Sequence, residues 1–248
     1  MTRPRQRAES GCYHVIIRGN GQQVLFEDDA DRRAFLKMAE NTLVCEAFSV
    51  VAWCLMENHV HLLVRDDDGR LSDTMRKLLS AFARYFNAKS GHTGHVLQGR
   101  FKSMPIENDA YLLEAVRYIH NNPEKAGICP APEYPWSSYR EYLAGTGLSE
   151  PGTVLEMLGG AEGFRKFSAE GSKPGYRFSA GVRIPDDEMV DVACSLLPGM
   201  NVVNLASLPK IRRDKALGLL RRGGLSVRQI ARLTGLGIAT IGRATKQP

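Results

Sequence analysis

Paired cysteines are missing from this chain. Its five cysteines (Cys12, Cys45, Cys54, Cys129 and Cys194) are odd in number, form no CxxC pair and follow no regular spacing. That argues against a disulfide framework or a thiolate zinc site, and for reduced thiols in a cytosolic protein. Long apolar runs are missing too. The most apolar stretch, Phe48 to Met56, is far shorter than the roughly 20 residues of a membrane-crossing helix. The first residues, MTRPRQRAESG, are charged and have no apolar core, so no secretory signal is read. No internal repeat and no low-complexity run is evident. The expectation is a soluble protein of the cytoplasm, at the bacterial nucleoid if its partner is DNA. A chain of 248 residues has room for one large domain or two smaller ones.

Charge is present but unevenly placed. From residue 201 on, ten basic side chains face a single acid, Asp214, so a chain of net charge +6 is acidic over its first part and strongly basic at its end. A basic terminal block implies a polyanionic partner, most often nucleic acid, or else a solvated face.

Apolar periodicity and turn residues give the element order. Cys12 to Gly19 reads as a strand ended by Asn20-Gly21, and Asp28 to Glu46 as a helix with acids in its first turn. Phe48 to Glu57 and His59 to Arg65 read as two strands joined at Asn58. A helix capped by Ser72 runs to about Lys89, a fourth strand spans Val96 to Glu107, and a helix spans Asp109 to Asn121, ending before Pro123. The order β-α-β-β-α-β is that of the split βαβ, ferredoxin-like unit: an α+β fold with an antiparallel sheet and two helices on one face. The helix from Asp109 must then cover the other face or an edge. Two weaker helical pieces follow, then a Gly-, Ser- and Pro-rich segment before residue 186. The expected domains are 1–145, a helical extension and linker at 146–185, and a small all-α domain at 186–248.

The stretch LMENHVHLLVR, Leu55 to Arg65, carries the chemistry. Side chains alternate along a strand, so His59 and His61 share a face while Val60, Leu62 and Val64 anchor the other in a core. Two imidazoles about 6–7 Å apart along the backbone make a candidate metal pair. They also fit two hydrogen-bonded structural histidines at a strand end. On the later helix, Tyr118 and Asn122 are four residues apart and fall on one face. If that face meets the sheet, Asn122 offers an amide oxygen beside the two imidazoles, and Tyr118 lies one turn away. Two nitrogens and one oxygen with open positions suit Mg²⁺ or Mn²⁺. A phenolic oxygen beside such an ion suits in-line attack on a phosphodiester. Tyr118 also fits a core aromatic, Tyr111 is a rival nucleophile two turns earlier, and Asn122 also fits a helix cap.

Several ordered segments resemble one family. His59-Val60-His61, GRFKS (Gly99 to Ser103), YLLEAVRYIHNNPEKAG (Tyr111 to Gly127) and WSSY (Trp136 to Tyr139) are similar to the REP-associated tyrosine transposases, which are single-tyrosine HUH enzymes. RGN (Arg18 to Asn20) and the aromatic-acid turn at Phe26 to Asp28 also fit. The resemblance implies His59 and His61 as metal ligands, Asn122 as the third ligand and Tyr118 as the nucleophile. It implies nicking and joining of single-stranded DNA beside hairpins of repeated extragenic palindromes, through a 5′-phosphotyrosine. Many relatives carry Gln or His at the third-ligand position, and Asn122 is a methylene shorter than Gln. Basic residues Arg18, Arg100, Lys102 and Arg117 lie in these segments as candidate phosphate contacts. An inert DNA-binding regulator is the alternative reading.

In the basic block, LSVRQIARLTGLGIATIGRATK reads as helix, turn, helix. Ser226 caps the first helix, Gly235 turns the chain, and Ile230, Leu236, Ile238 and Ile241 fill the core. Thr240, Arg243 and Lys246 would face outward from the second helix toward a DNA duplex, the hairpin stem. A helical dimerisation domain is the competing reading.

Overall fold

The computed structural model describes residues 7–91, 93–170, 189–197, 200 and 202–245. The chain divides into two compact units, residues 1–172 and 173–248.

The first unit is built on four strands: β1 (Cys12–Arg18), β2 (Ser49–Leu55), β3 (His59–Arg65) and β4 (Lys102–Pro105). Their order is β2-β3-β1-β4, every neighbouring pair antiparallel. This is the expected ferredoxin-like order. The alternation expected of β3 is realised on both central strands. Tyr13, Val15 and Ile17 of β1 and Val60, Leu62 and Val64 of β3 enter one core, beneath helices α1 (Asp29–Cys45) and α2 (Leu71–Ser90). Phe26, Phe35 and Phe82 pack there ring against ring, with centroids 5.2–5.7 Å apart. The polar residues of β1 and β3 are thereby turned to the opposite face. Helix α3 (Asp109–His120) covers that face over β2 and β3.

Local chemistry explains the ends of these elements. Asp28 and Asp31 form a reciprocal capping box at the start of α1, and Asn108 accepts from the Tyr111 amide to start α3. Helix α2 differs from expectation. It begins ahead of Ser72, and the carboxylate of Asp66 accepts from the amides of Arg70 and Leu71 at 3.0 and 2.7 Å. The fourth strand is also shorter than Val96 to Glu107. Upstream of Lys102 a single bridge joins Gly19 to Leu97, and the residues between follow the bend at Gly99, whose φ is +63°. Asn122 does not extend α3. Asn121 ends that helix, and Asn122 opens the short α4 (Asn122–Lys125), with Pro123 in its first turn.

The segment Trp136 to Tyr139 closes the exposed edge of β2. The Leu55 amide donates to Trp136 at 2.8 Å, the Ser138 amide to Trp53 at 3.0 Å, and the Trp53 amide to Ser138 Oγ at 2.9 Å. Helices α5 (Tyr139–Ala144), α6 (Gly152–Leu158) and α7 (Ala161–Ala169) follow, and α7 packs on α3 and α5. The Gly-, Ser- and Pro-rich segment, 171–185, lies outside the described residues.

The second unit contains α8 (Met189–Leu196), α9 (Lys210–Arg222), α10 (Val227–Thr234) and α11 (Ile238–Ala244) around Leu205, Leu217, Leu220, Leu225, Ile230 and Ile241. Ser226 and Gln229 cap α10 reciprocally, and Gly235, at φ +69°, turns the chain toward α11. Ile238 is not in this core. It is 56 % exposed at the first position of α11, while Ile241, one turn on, is buried.

Candidate active site

The face of the sheet turned away from α1 and α2 gathers three imidazoles and a phenol. Strand β3 supplies His59 and His61, with ring centroids 5.0 Å apart. Strand β1 supplies His14 and Arg18. Antiparallel register sets Arg18 opposite His59 and Ile16 opposite His61, so His14 lies diagonally from His61. Its Nε2 is 2.9 Å from His61 Nδ1. From α3, the Tyr118 ring meets His61 edge-on at 5.7 Å and His14 at 5.8 Å. From the start of α4, Asn122 hydrogen-bonds to His59. The side chains of Tyr118 and Asn122 therefore reach the imidazoles as expected, although a helix boundary separates them.

Exposure divides the site into an inner and an outer layer. His14 and His61 are buried, while His59, Tyr118 and Asn122 are each partly open. A groove of about 530 Å³ lined by Arg18, Gly19, Gly21, Asn58, His59 and Gln98 opens onto His59. Asn58 Oδ1 lies 2.8 Å from His59 Nδ1.

Burial governs the titration of these rings. Desolvation holds His14 down to about 3. It holds His59 down to about 4, helped by the charge of Arg18 and opposed by the hydrogen bond to Asn122. His61 falls well below its ordinary value, through desolvation first and then the neighbouring His14, His59, Arg18 and Lys125. All three imidazoles are neutral near pH 7, the form in which a nitrogen lone pair binds a cation. Among the described residues no three His, Cys, Asp or Glu side chains converge as a metal set. A cation bound here would have two imidazoles and the Asn122 carboxamide to draw on. These borderline and hard donors without thiolate fit Mn²⁺ or Mg²⁺.

The surroundings are cationic. Lys125 Nζ stands 4.3 Å from the centroid of the Tyr118 ring. Desolvation and then Arg18 lower the pKa of half-buried Lys102, which lies opposite Ile16 on β4. Clustered positive charge beside a phenol and neutral imidazoles favours an anionic ligand such as a phosphodiester.

Other expected residues lie elsewhere. Arg117 is a correction: it is fully buried, its guanidinium 3.6 Å from the Phe167 ring centroid and paired with Glu114 and Glu170 at 3.5 and 3.6 Å. It braces α3 against α7 and is closed to a DNA phosphate. Arg100 is exposed but lines a separate groove of about 780 Å³ along α2, with Arg76, Leu79 and Phe101. The Tyr111 hydroxyl donates to Met104 Sδ at 3.5 Å. Buried His120 is 2.7 Å from Ser138 Oγ (its Nε2) and packs among Tyr139, Tyr142 and Phe164, a structural residue. In the second unit Thr240 is half-buried and Arg243 exposed on α11. Lys246 lies outside the described residues.

Sequence reasoning missed His14, Asn58 and Lys125. His14 and Arg18 share the period-two face of β1, a signal that becomes informative once β1 is known to pair with β3. Asn58 reads only as a turn residue until its side chain is seen against His59.

Comparison with known proteins covers the same part of the chain. Residues 8–122 match the family model described as transposase IS200 like. A solved structure of a REP-associated tyrosine transposase bound to a REP hairpin is similar, with a TM-score of 0.51 and 21 % identity, over 75 % of this chain and 99 % of that one. A crystal structure of a transposase from Deinococcus radiodurans overlaps 49 % of this chain and 97 % of its own, at a TM-score of 0.35 and 20 % identity. No curated protein matches.

Proposed function

We propose, from the match of residues 8–122 to the IS200-like transposase family model, that this chain nicks and rejoins single-stranded DNA beside a hairpin by a tyrosine-linked transesterification. The observation that carries this reading is the meeting of Tyr118 from α3 with His61 from β3, with His59 and Asn122 alongside.

Tyr118 is the nucleophile. Its phenolic oxygen attacks phosphorus, the P–O bond to the 3′ oxygen breaks, and the 5′ phosphate remains on the tyrosine. The phenol gives up a proton and the departing 3′ oxygen takes one up, so no net proton is consumed. One phosphodiester is exchanged for another, and a 3′ hydroxyl can reverse the step or join a new end without a nucleotide cofactor. His59, His61 and Asn122 would hold a divalent cation, Mn²⁺ or Mg²⁺, which would supply charge neutralisation at the scissile phosphate. Arg18 at the groove mouth and Lys102 beside it attract and align the backbone. Lys125, packed on the Tyr118 ring, favours the phenolate that develops when DNA is released.

The hairpin is the REP-type element that the similar structure carries. Arg100 contacts the strand beyond the site. The α10–turn–α11 segment acts as a helix-turn-helix on the duplex stem, with Thr240 and Arg243 reaching DNA.

The test is covalent capture. The protein is incubated with Mn²⁺ and a hairpin oligonucleotide labelled 3′ of the nick, denatured, and assayed for retained label. Wild type and Tyr111→Phe retain it, whereas Tyr118→Phe does not. Retention by Tyr118→Phe and loss by Tyr111→Phe would move the nucleophile.

A further inference from the structure

We infer that His14 and Asn58 are positioning residues that fix the tautomers of His61 and His59, so that both rings present an unprotonated Nε2 to the cation. The inference rests on the proposed ligand role of His59 and His61. It extends that role to residues no family motif named above includes.

A neutral imidazole carries one N–H and one lone pair, on either nitrogen. In the wrong tautomer a ring points a proton at the cation and cannot bind it. An outer hydrogen bond to the non-ligating nitrogen selects the right form. For His59 that partner is the Asn58 carboxamide oxygen, 2.8 Å from Nδ1. A carbonyl oxygen accepts only, so Nδ1 carries the proton and Nε2 keeps its lone pair.

For His61 the partner is a second imidazole. At 2.9 Å between His61 Nδ1 and His14 Nε2, exactly one of the two nitrogens carries the proton. If His61 is to offer Nε2, its Nδ1 donates and His14 accepts. Burial enforces the bond. His14 is 0 % and His61 2 % exposed, so water does not compete for either nitrogen. His14 does more than fill space at this position, because its ring also meets Tyr118 edge-on at 5.8 Å. One buried imidazole thus braces a ligand ring and the nucleophile together. Placing these partners on different segments, β1 for His61 and the β2–β3 turn for His59, lets each ring be set independently.

The experiment uses the full-length protein and two readouts other than activity. Long-range ¹⁵N–¹H correlation spectra assign the histidine tautomers in the metal-free protein, and calorimetric titration with MnCl₂ gives affinity. Expected in wild type are Nδ1–H tautomers at His59 and His61. His14→Leu lowers Mn²⁺ affinity about 10–100-fold and releases the His61 tautomer. His14→Gln, whose amide oxygen can accept from His61 Nδ1, recovers most of the affinity. Asn58→Ala has the corresponding effect on His59.

His61→Ala separates the two levels of the argument. If wild type fails to bind Mn²⁺, or His61→Ala binds as wild type does, the ligand reading and this inference both fall. If His61→Ala loses Mn²⁺ while His14→Leu and Asn58→Ala bind normally, this inference alone is overturned. The Nε2–H form of His61 in wild type overturns it without any substitution.

Discussion

The Tyr118 ring meets the His61 imidazole edge-on, centroids 5.7 Å apart and planes at 80°. One residue comes from a strand buried on both faces and the other from a helix laid across it. A phenol held there is only partly exposed, next to neutral imidazoles and a lysine. Small changes in how α3 seats on the sheet should therefore affect chemistry more than stability.

Arg117, on the side of α3 that meets α7, bears on stability instead. Its guanidinium lies against Phe167 and is fully buried. Arg117→Ala loses a desolvated cation–π contact and the packing of a long stem, so it should destabilise the first unit by about 2–3 kcal/mol. Urea unfolding measures this. Unchanged stability combined with weaker DNA binding would return Arg117 to the DNA surface.

Acid should unfold the protein early. Burial holds His14 and His120 near 3 and His59 near 4, while unfolded histidines titrate near 6.5. Below that value the unfolded chain takes up protons that the folded chain refuses. Stability in metal-free buffer is thus fully present above about pH 7 and falls as pH drops from 6.5 toward 4. Each such histidine adds a slope of up to about 1.4 kcal/mol per pH unit. His120→Gln should remove one share of that slope between pH 6 and 4.5. An unchanged slope would show that His120 is protonated in the fold.

The elements legible in the sequence were those fixed by local chemistry. Strand β3 falls at the bounds expected from periodicity, His59–Arg65, and Ser226 caps α10 as its spacing implies. What escaped depended on partners distant in sequence or on a loop side chain. The α2 cap comes from Asp66 upstream of the helix, so Ser72 misled. Arg117 is packed against Phe167 on α7 and paired with Glu170 just beyond that helix, which no reading of α3 alone could supply. His14 gained meaning only from the register of β1 on β3. Ile238 read as core by periodicity, yet it opens α11 and the helix turns it to solvent.

Arg243 is exposed on α11 and its Nε donates to the Ala239 carbonyl within the helix. If the second unit docks the stem, Arg243→Ala should weaken hairpin binding and reduce the slope of log affinity against log salt by about one. Fluorescence anisotropy across a salt series measures both. An unchanged slope would remove this side chain from the duplex interface.

The cation site makes its own demand on Asn122. Asn122→Ala removes the oxygen donor beside His59 and should weaken Mn²⁺ binding at least about tenfold, with the fold retained by circular dichroism. Equal Mn²⁺ affinity in the variant would leave Asn122 as a helix start and nothing more.

The most direct measurement is the mass of the tryptic peptide that carries DNA after reaction with a hairpin substrate. Trypsin separates the two tyrosines, since Tyr118 falls in the peptide from Tyr118 to Lys125 and Tyr111 in that from Ser103 to Arg117. The account predicts a 5′-phosphonucleotide mass on Tyr118 alone, present with Mn²⁺ and absent with chelator. The same mass on the peptide holding Tyr111, or strand cleavage with no peptide modified at all, would contradict it.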